Sequence, residues 1–177
     1  MFLLVFLVFL LIPGVSLPIK VFVQRLFLTG PDIELSEGDA IFNETMRLID
    51  LEGNTVYLSP STDRFKLINF WATWCPPCVA EMPSLASLYE AYGNEVDFYL
   101  ITQEDEAVVK EFLEKKGLRL PVYRPAVPVP KALRYRSIPT TFLIGGKGKV
   151  LLREEGASNW NSEGFRLLLD SLLRSPR

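Results

Sequence analysis

Residues 69–83 read NFWATWCPPCVAEMP, and this stretch decides how the rest of the chain is understood. It places Cys75 and Cys78, the two cysteines of the chain, between two segments of different periodicity. Upstream, KLINFW (66–71) is a near-continuous apolar run, as expected for a buried central strand. Downstream, Val79, Met82, Leu85, Leu88 and Tyr92 recur at steps of three and four residues, which predicts a helix over 76–92 with a kink at Pro83. A thiol at such a strand-to-helix junction meets unpaired backbone N–H groups and the positive end of the helix dipole, and both stabilise a thiolate. Cys75 is therefore the expected attacking thiolate. Cys78 lies one turn further in, close enough to close a small disulfide ring, and is the expected resolving thiol. Pro76 and Pro77 remove two backbone donors and stiffen the turn, at a position where a helix tolerates proline. Two blander readings stand beside this one: an inert staple in an oxidising compartment, or two small apolar side chains in a core. A bridge around so few residues removes little unfolded-state entropy, and stability alone explains poorly why it follows Trp74 at a strand end.

Composition narrows the chemistry further. The chain has 177 residues and no histidine, so hydrolases that rely on an imidazole base are excluded. A structural zinc site built from Cys and His needs about four such ligands, and two are present. A c-type haem attachment needs His directly after the second Cys, where Val79 stands. Electron exchange as a dithiol and disulfide pair survives these exclusions, and it needs neither metal nor organic cofactor. A formal net charge of -2 without a basic stripe argues against nucleic acid as a partner.

Three regions are expected. Residues 1–19, MFLLVFLVFLLIPGVSLPI, carry no charge, whereas all 19 Lys and Arg and all 21 Asp and Glu lie beyond them. The apolar run from Met1 to Ile12 has the length of a signal-peptide core, and the full uncharged stretch approaches the roughly 20 residues that span a bilayer. An uncleaved membrane anchor is preferred over a cleaved signal, because Pro18 is a poor neighbour for cleavage after the Gly14-x-Ser16 pattern. Lys20 and Arg25 follow the run, which by the positive-inside bias opposes an extracytoplasmic domain, while the cationic α-amino group acts the other way. Residues 20–40 read as a linker and 41–177 as one domain.

Within that domain, RLIDLEGNTVYL (47–58) reads as a β-hairpin around Gly53-Asn54. VDFYLIT (96–102) is a second buried strand, and EDEAVVKEFLEKKG (104–117) is a helix stopped by Gly117. RPAVPVP (124–130) reads as a Pro-rich connection to a short helical piece near 131–135; a peptide-docking motif is the lesser reading. Strands are predicted at 140–144 and 148–152, joined at Gly145-Gly146-Lys147, with a closing helix over 162–173. Trp160 and its surroundings, 159–162, read as a loop and helix cap. The alternation of strands and helices argues for an α/β sheet covered by helices, with 66–71 and 96–102 parallel and the last hairpin antiparallel.

WCPPC, preceded by NFWAT and followed by VAEMPSL, resembles the thioredoxin superfamily and, within it, the membrane-anchored TlpA/ResA-like thiol-disulfide oxidoreductases. The resemblance extends over roughly residues 40–174. It implies a thioredoxin-like fold: a central mixed β-sheet flanked by helices, with an N-terminal β-hairpin extension. Ser137-Ile138-Pro139-Thr140 resembles the loop that sets a cis-proline beside the active-site cysteines, so a cis Ile138–Pro139 bond is expected, with the Ile138 backbone pairing an extended substrate segment. Trp74, Pro76 and Pro77 would complete the substrate-facing surface around a Cys75–Cys78 redox disulfide. Many thioredoxins carry a buried Asp where this chain has Asn69, which cannot accept the proton of Cys78. Glu81 matches a glutamate that ResA-like proteins place near the cysteines, and a partly desolvated carboxyl there could exchange a proton with Cys78. An exposed helix glutamate is the blander alternative.

The resemblance implies an extracytoplasmic protein thiol-disulfide oxidoreductase acting on protein thiol and disulfide substrates, including apocytochrome c awaiting haem, and supplied with electrons by a membrane thiol relay. Two alternatives remain open at this level. A Cu(I) metallochaperone would use the same two thiolates, weakened by the absence of His and of a methionine nearby other than Met82. A thiol peroxidase would ordinarily rely on one peroxidatic Cys in a Thr-containing loop rather than on a close C-x-x-C.

Overall fold

A computed structural model describes residues 21, 24–32, 40–60 and 63–174. The apolar segment 1–19 lies outside the described residues, and among those residues no helix is long and apolar enough to cross a membrane. Among the described residues the strands are β1 (Met46–Asp50), β2 (Thr55–Leu58), β3 (Phe65–Phe70), β4 (Val96–Ile101), β5 (Val122–Pro125), β6 (Thr140–Ile144) and β7 (Val150–Glu155). Among the described residues, 24–27 are helical, and the helices of the domain are α1 (Pro76–Tyr92), α2 (Glu106–Lys116) and α3 (Glu163–Arg174).

All seven strands form one sheet in the order β2-β1-β5-β4-β3-β6-β7. β3 is central, and its six residues are all buried, which is why its sequence is almost unbroken in apolar character. It runs parallel to β4 and antiparallel to β6, and β6 returns antiparallel as β7. The β1–β2 hairpin turns at Gly53 (φ 84°), where the Asp50 carboxylate accepts the backbone N–H groups of Glu52 and Asn54. The hairpin joins the sheet through antiparallel pairing of β1 with β5.

Alternate β3 side chains feed two cores. Leu67 packs with Met82, Leu85 and Leu88 of α1, Val109 and Leu113 of α2, and Phe165 and Leu169 of α3. Ile68 and Phe70 face the other core, with Phe42, Met46, Leu48, Phe142 and Ile144. Val127, Val129, Ala132 and Tyr135 cover that second core, and the Tyr135 ring stacks on Phe70 at 4.3 Å.

Two sequence boundaries move. The connection predicted over 124–130 begins as a strand, because Val122–Pro125 is held between partners distant in sequence: Thr102 N–H donates to Tyr123 O, and Ala126 N–H to Arg47 O. The last strand runs over 150–155 rather than 148–152, since a 3-10 turn at Gly146–Gly148 takes the preceding residues. Part of the 20–40 linker lies on the domain. Val21 packs with Val79 and Ala80, and Thr29 O accepts the Asn159 N–H at 2.7 Å.

Candidate active site

Trp71 N–H donates to Ile101 O at 3.1 Å, extending the β3–β4 pairing one residue past the strand, and the Cys75 N–H then bonds to Ala72 O. This turn sets Cys75 at the N-cap of α1 in extended conformation. Pro76 and Pro77 occupy the next two positions and have no N–H. The first N–H that α1 can offer is therefore that of Cys78, and it donates to Cys75 Sγ at 3.3 Å. No acidic residue stands in the first turn to oppose a negative sulfur. Cys75 and Cys78 are joined as a disulfide with Cα atoms 5.3 Å apart, and both are buried.

Opposite the disulfide lies the segment before β6. The Ile138–Pro139 bond is cis, and the Ile138 carbonyl oxygen stands 3.7 Å from Cys75 Sγ, within reach of the thiol proton when the bridge is reduced. Thr140 Oγ1 donates to Ser137 O, and Gly156 N–H to Pro139 O, tying this loop to β6 and to the end of β7. Trp74 is 67% exposed beside it. Trp74, Gln103, Tyr135, Arg136 and Ile138 line a groove of about 290 Å³ next to the cysteines. Glu104 secures the facing loop by accepting from both the backbone N–H and the hydroxyl of Thr73, each at 2.6 Å.

Glu81, one turn beyond Cys78, is fully buried, which removes the reading of an exposed helix glutamate. Its Oε1 accepts from Asn69 Nδ2 at 2.8 Å, and its Oε2 accepts from Trp160 Nε1 at 2.9 Å and from the Ser158 N–H at 3.1 Å. Burial pushes its pKa up to about 7, against the pull of the Trp160, Ser158 and Asn69 donors and with a further push from Glu154. Asn69 reaches Glu81 because it sits on β3 opposite Thr141 of β6, whose hydroxyl accepts a second bond from Nδ2. Trp160 corrects the sequence reading. Its backbone lies in the turn before α3, as expected, but its side chain is fully buried, packed edge-on against Phe165 and bonded to Glu81. The neighbouring Ser162 makes no side-chain cap bond; its hydroxyl is buried with no partner among the described residues. The only local hint was an indole inside the polar run SNWNS, and nothing in its spacing points to Glu81.

A cysteine pair closing a helix N-terminus at the edge of a central strand, faced by a cis-proline loop on a mixed sheet, defines a thioredoxin-like protein. The Redoxin family profile matches residues 31–168, and the chain belongs to that family, on its TlpA/ResA-like side. It is 36% identical over 107 residues to the thiol-disulfide oxidoreductase ResA of Halalkalibacterium halodurans, an alignment covering 59% of this chain and 61% of that protein. It is 33% identical over 132 residues to the ResA of Oceanobacillus iheyensis, covering 72% and 64%. The chain thus spans somewhat under two thirds of the length of these relatives. A solved thiol:disulfide interchange protein of Chlorobium tepidum shares the fold, with a TM-score of 0.60 at 22% identity over 78% of this chain and 99% of that one.

Proposed function

We propose that the protein is a thiol-disulfide oxidoreductase, tethered to a membrane with its domain on the extracytoplasmic side, that reduces specific protein disulfides. The observation that carries this reading is the Cys75 sulfur at the α1 N-terminus, accepting the first N–H the helix can give. In the reduced protein that donor and the helix dipole favour the Cys75 thiolate. The thiolate attacks a substrate disulfide; a Cys75–substrate bond forms and the first substrate thiolate leaves, taking a proton from solvent. Cys78 then gives its proton to Glu81 and attacks Cys75 Sγ. The Cys75–Cys78 bond forms, and the second substrate sulfur leaves and is protonated. Two electrons and two protons have passed from the dithiol to the substrate. No metal or organic cofactor enters this cycle; the disulfide is the carrier.

Trp74 and the Ile138–Pro139 segment flank the cysteines as the substrate-facing surface, with the Ile138 backbone available to an extended partner chain. Apocytochrome c disulfides awaiting haem attachment fit as substrates by family resemblance, and a membrane thiol relay would regenerate the dithiol. Membrane tethering rests on the uncharged segment 1–19.

A Cys78→Ser variant should accumulate mixed disulfides on Cys75 in membranes, visible as thiol-sensitive high-mass bands, while a Cys75→Ser control should not. Identical behaviour of the two variants would refute the exchange order. Tight stoichiometric Cu(I) binding by the reduced protein together with absence of disulfide reduction would replace the reading with a metallochaperone.

A further inference from the structure

The two oxygens of the Glu81 carboxylate stand in unequal surroundings. Oε2 receives two bonds, from the Trp160 indole and the Ser158 backbone. Both groups can only donate. A proton on Oε2 would face two buried N–H groups and leave at least one of them unsatisfied, at a cost of about 1–3 kcal/mol. Oε1 receives a single bond, from Asn69 Nδ2. The same amide carries Oδ1, which is buried and has no hydrogen-bond partner among the described residues. A half turn of the amide would give up the two Nδ2 bonds and present Oδ1 to an Oε1–H donor, and the Thr141 hydroxyl, an acceptor now, can donate to Oδ1 in turn.

We infer that Trp160 is a positioning residue for thiol exchange: with the Ser158 amide it occupies Oε2 of Glu81 and confines the exchanging proton to Oε1, the oxygen shared with Asn69. This rests on the reading of Glu81 as the proton acceptor for Cys78. The loop that carries the indole is pinned to α1, because Trp160 N–H donates to Ser84 Oγ and Ser84 Oγ donates to Glu81 O. The Phe165 ring of α3 packs against the indole edge at 5.2 Å, so the donor is held in place as Glu81 gains and loses its proton. The groups facing this carboxyl are few. Glu154 of β7 stands beyond Ser158, whose hydroxyl it accepts, and pushes on the carboxyl through its charge; Asn69 and Thr141 are neutral.

The test begins with the full oxidised chain in detergent micelles, where the cysteines do not titrate. The indole N–H resonance of Trp160 should move with pH at the same midpoint as the Glu81 side-chain carboxyl carbon, and the movement should vanish in Glu81→Gln. A Glu81 carboxyl that titrates while the Trp160 resonance stays still overturns the inference. In Trp160→Phe the Glu81 midpoint should rise by about one unit for loss of one donor. In the reduced variant the acid limb of the exchange rate should rise equally, which is about tenfold slower at a fixed pH on that limb. A rate lowered equally at every pH, with the midpoint unmoved, assigns Trp160 to packing alone and also overturns it. Should Trp160→Phe not fold, the wild-type titration decides by itself. Failure of the oxidoreductase reading would show separately, as no disulfide reduction by the wild-type protein.

Discussion

Beyond the proton transfer proposed for it, Glu81 affects stability, and the sign of that effect follows from its raised pKa of about 7. Below the ordinary glutamate value the carboxyl is protonated in both folded and unfolded chains, so it adds no pH dependence. As pH rises, the unfolded chain ionises first and the folded state loses ground until about pH 7, after which the loss is constant. The full difference is about 3 kcal/mol. Glutamine at this position keeps the shape: its carbonyl can accept from Trp160 and Ser158, and its amide can donate to a turned Asn69. We therefore expect urea unfolding of the oxidised wild type to lose stability between about pH 4 and 8 relative to Glu81→Gln, by about 3 kcal/mol. Parallel stability curves would show that the carboxyl ionises as freely as it does in water. In the reduced Glu81→Gln protein the first attack by Cys75 should be preserved while resolution slows, so a quench at early times should catch more mixed disulfide than in the wild type.

At the level of elements, the connection between β6 and β7 is set by one glycine. Gly148 has φ 78°, and a Cβ there would lie 1.9 Å from the carbonyl oxygen of Phe42. The close approach lets Phe42 N–H donate to Gly148 O at 2.8 Å and Val150 N–H to Ala40 O at 3.0 Å, so the entry of the domain is stitched onto β7. Gly148→Ala should cost about 3 kcal/mol or more, since backbone must move and a left-handed residue must bear a side chain. Gly146→Ala, with open space at its Cβ, should fall within about 1 kcal/mol of wild type. Urea midpoints of the two variants check this, and equal midpoints would contradict the packing described. The same contrast explains what was legible beforehand. α2 was readable because its stop signal is local: Lys115, Lys116 and a left-handed Gly117 end it. The hairpin, β3 and the cysteine turn were readable for the same reason. β5 was not, because four residues beside prolines become a strand only when β4 and β1 flank them. Glu81 was visible through the family resemblance, which places a glutamate three residues after Cys78, but Trp160 was not, since its bond to Glu81 spans 79 residues and depends on how α3 and the β7 end close over α1.

Across the whole molecule, the first 19 residues carry no charge and every charged side chain lies beyond them, in the linker and the domain. The described part of the N-terminal segment does not hang free of that domain. Val21 packs against Val79 and Ala80, directly after Cys78, and Arg25 donates to Val79 O. A tether entering there would bring the N-terminal end of α1, and with it the disulfide, close to the lipid surface, where a membrane thiol relay could reach it. An oxidising exterior is also where a protein disulfide substrate persists, and where a dithiol held ready to reduce one has work that the cytosolic thiol pool does not already perform. The charges flanking segment 1–19 favour the opposite orientation, so the two physical arguments predict different outcomes for one measurement. Alkaline phosphatase joined after Arg177 gains its own disulfides and activity only outside the cytoplasm. We expect such a fusion to be active and to remain with membranes after carbonate washing. An inactive phosphatase, paired with a fluorescent cytoplasmic reporter at the same junction, would turn the domain inward and leave it the chemistry of an intracellular reductase.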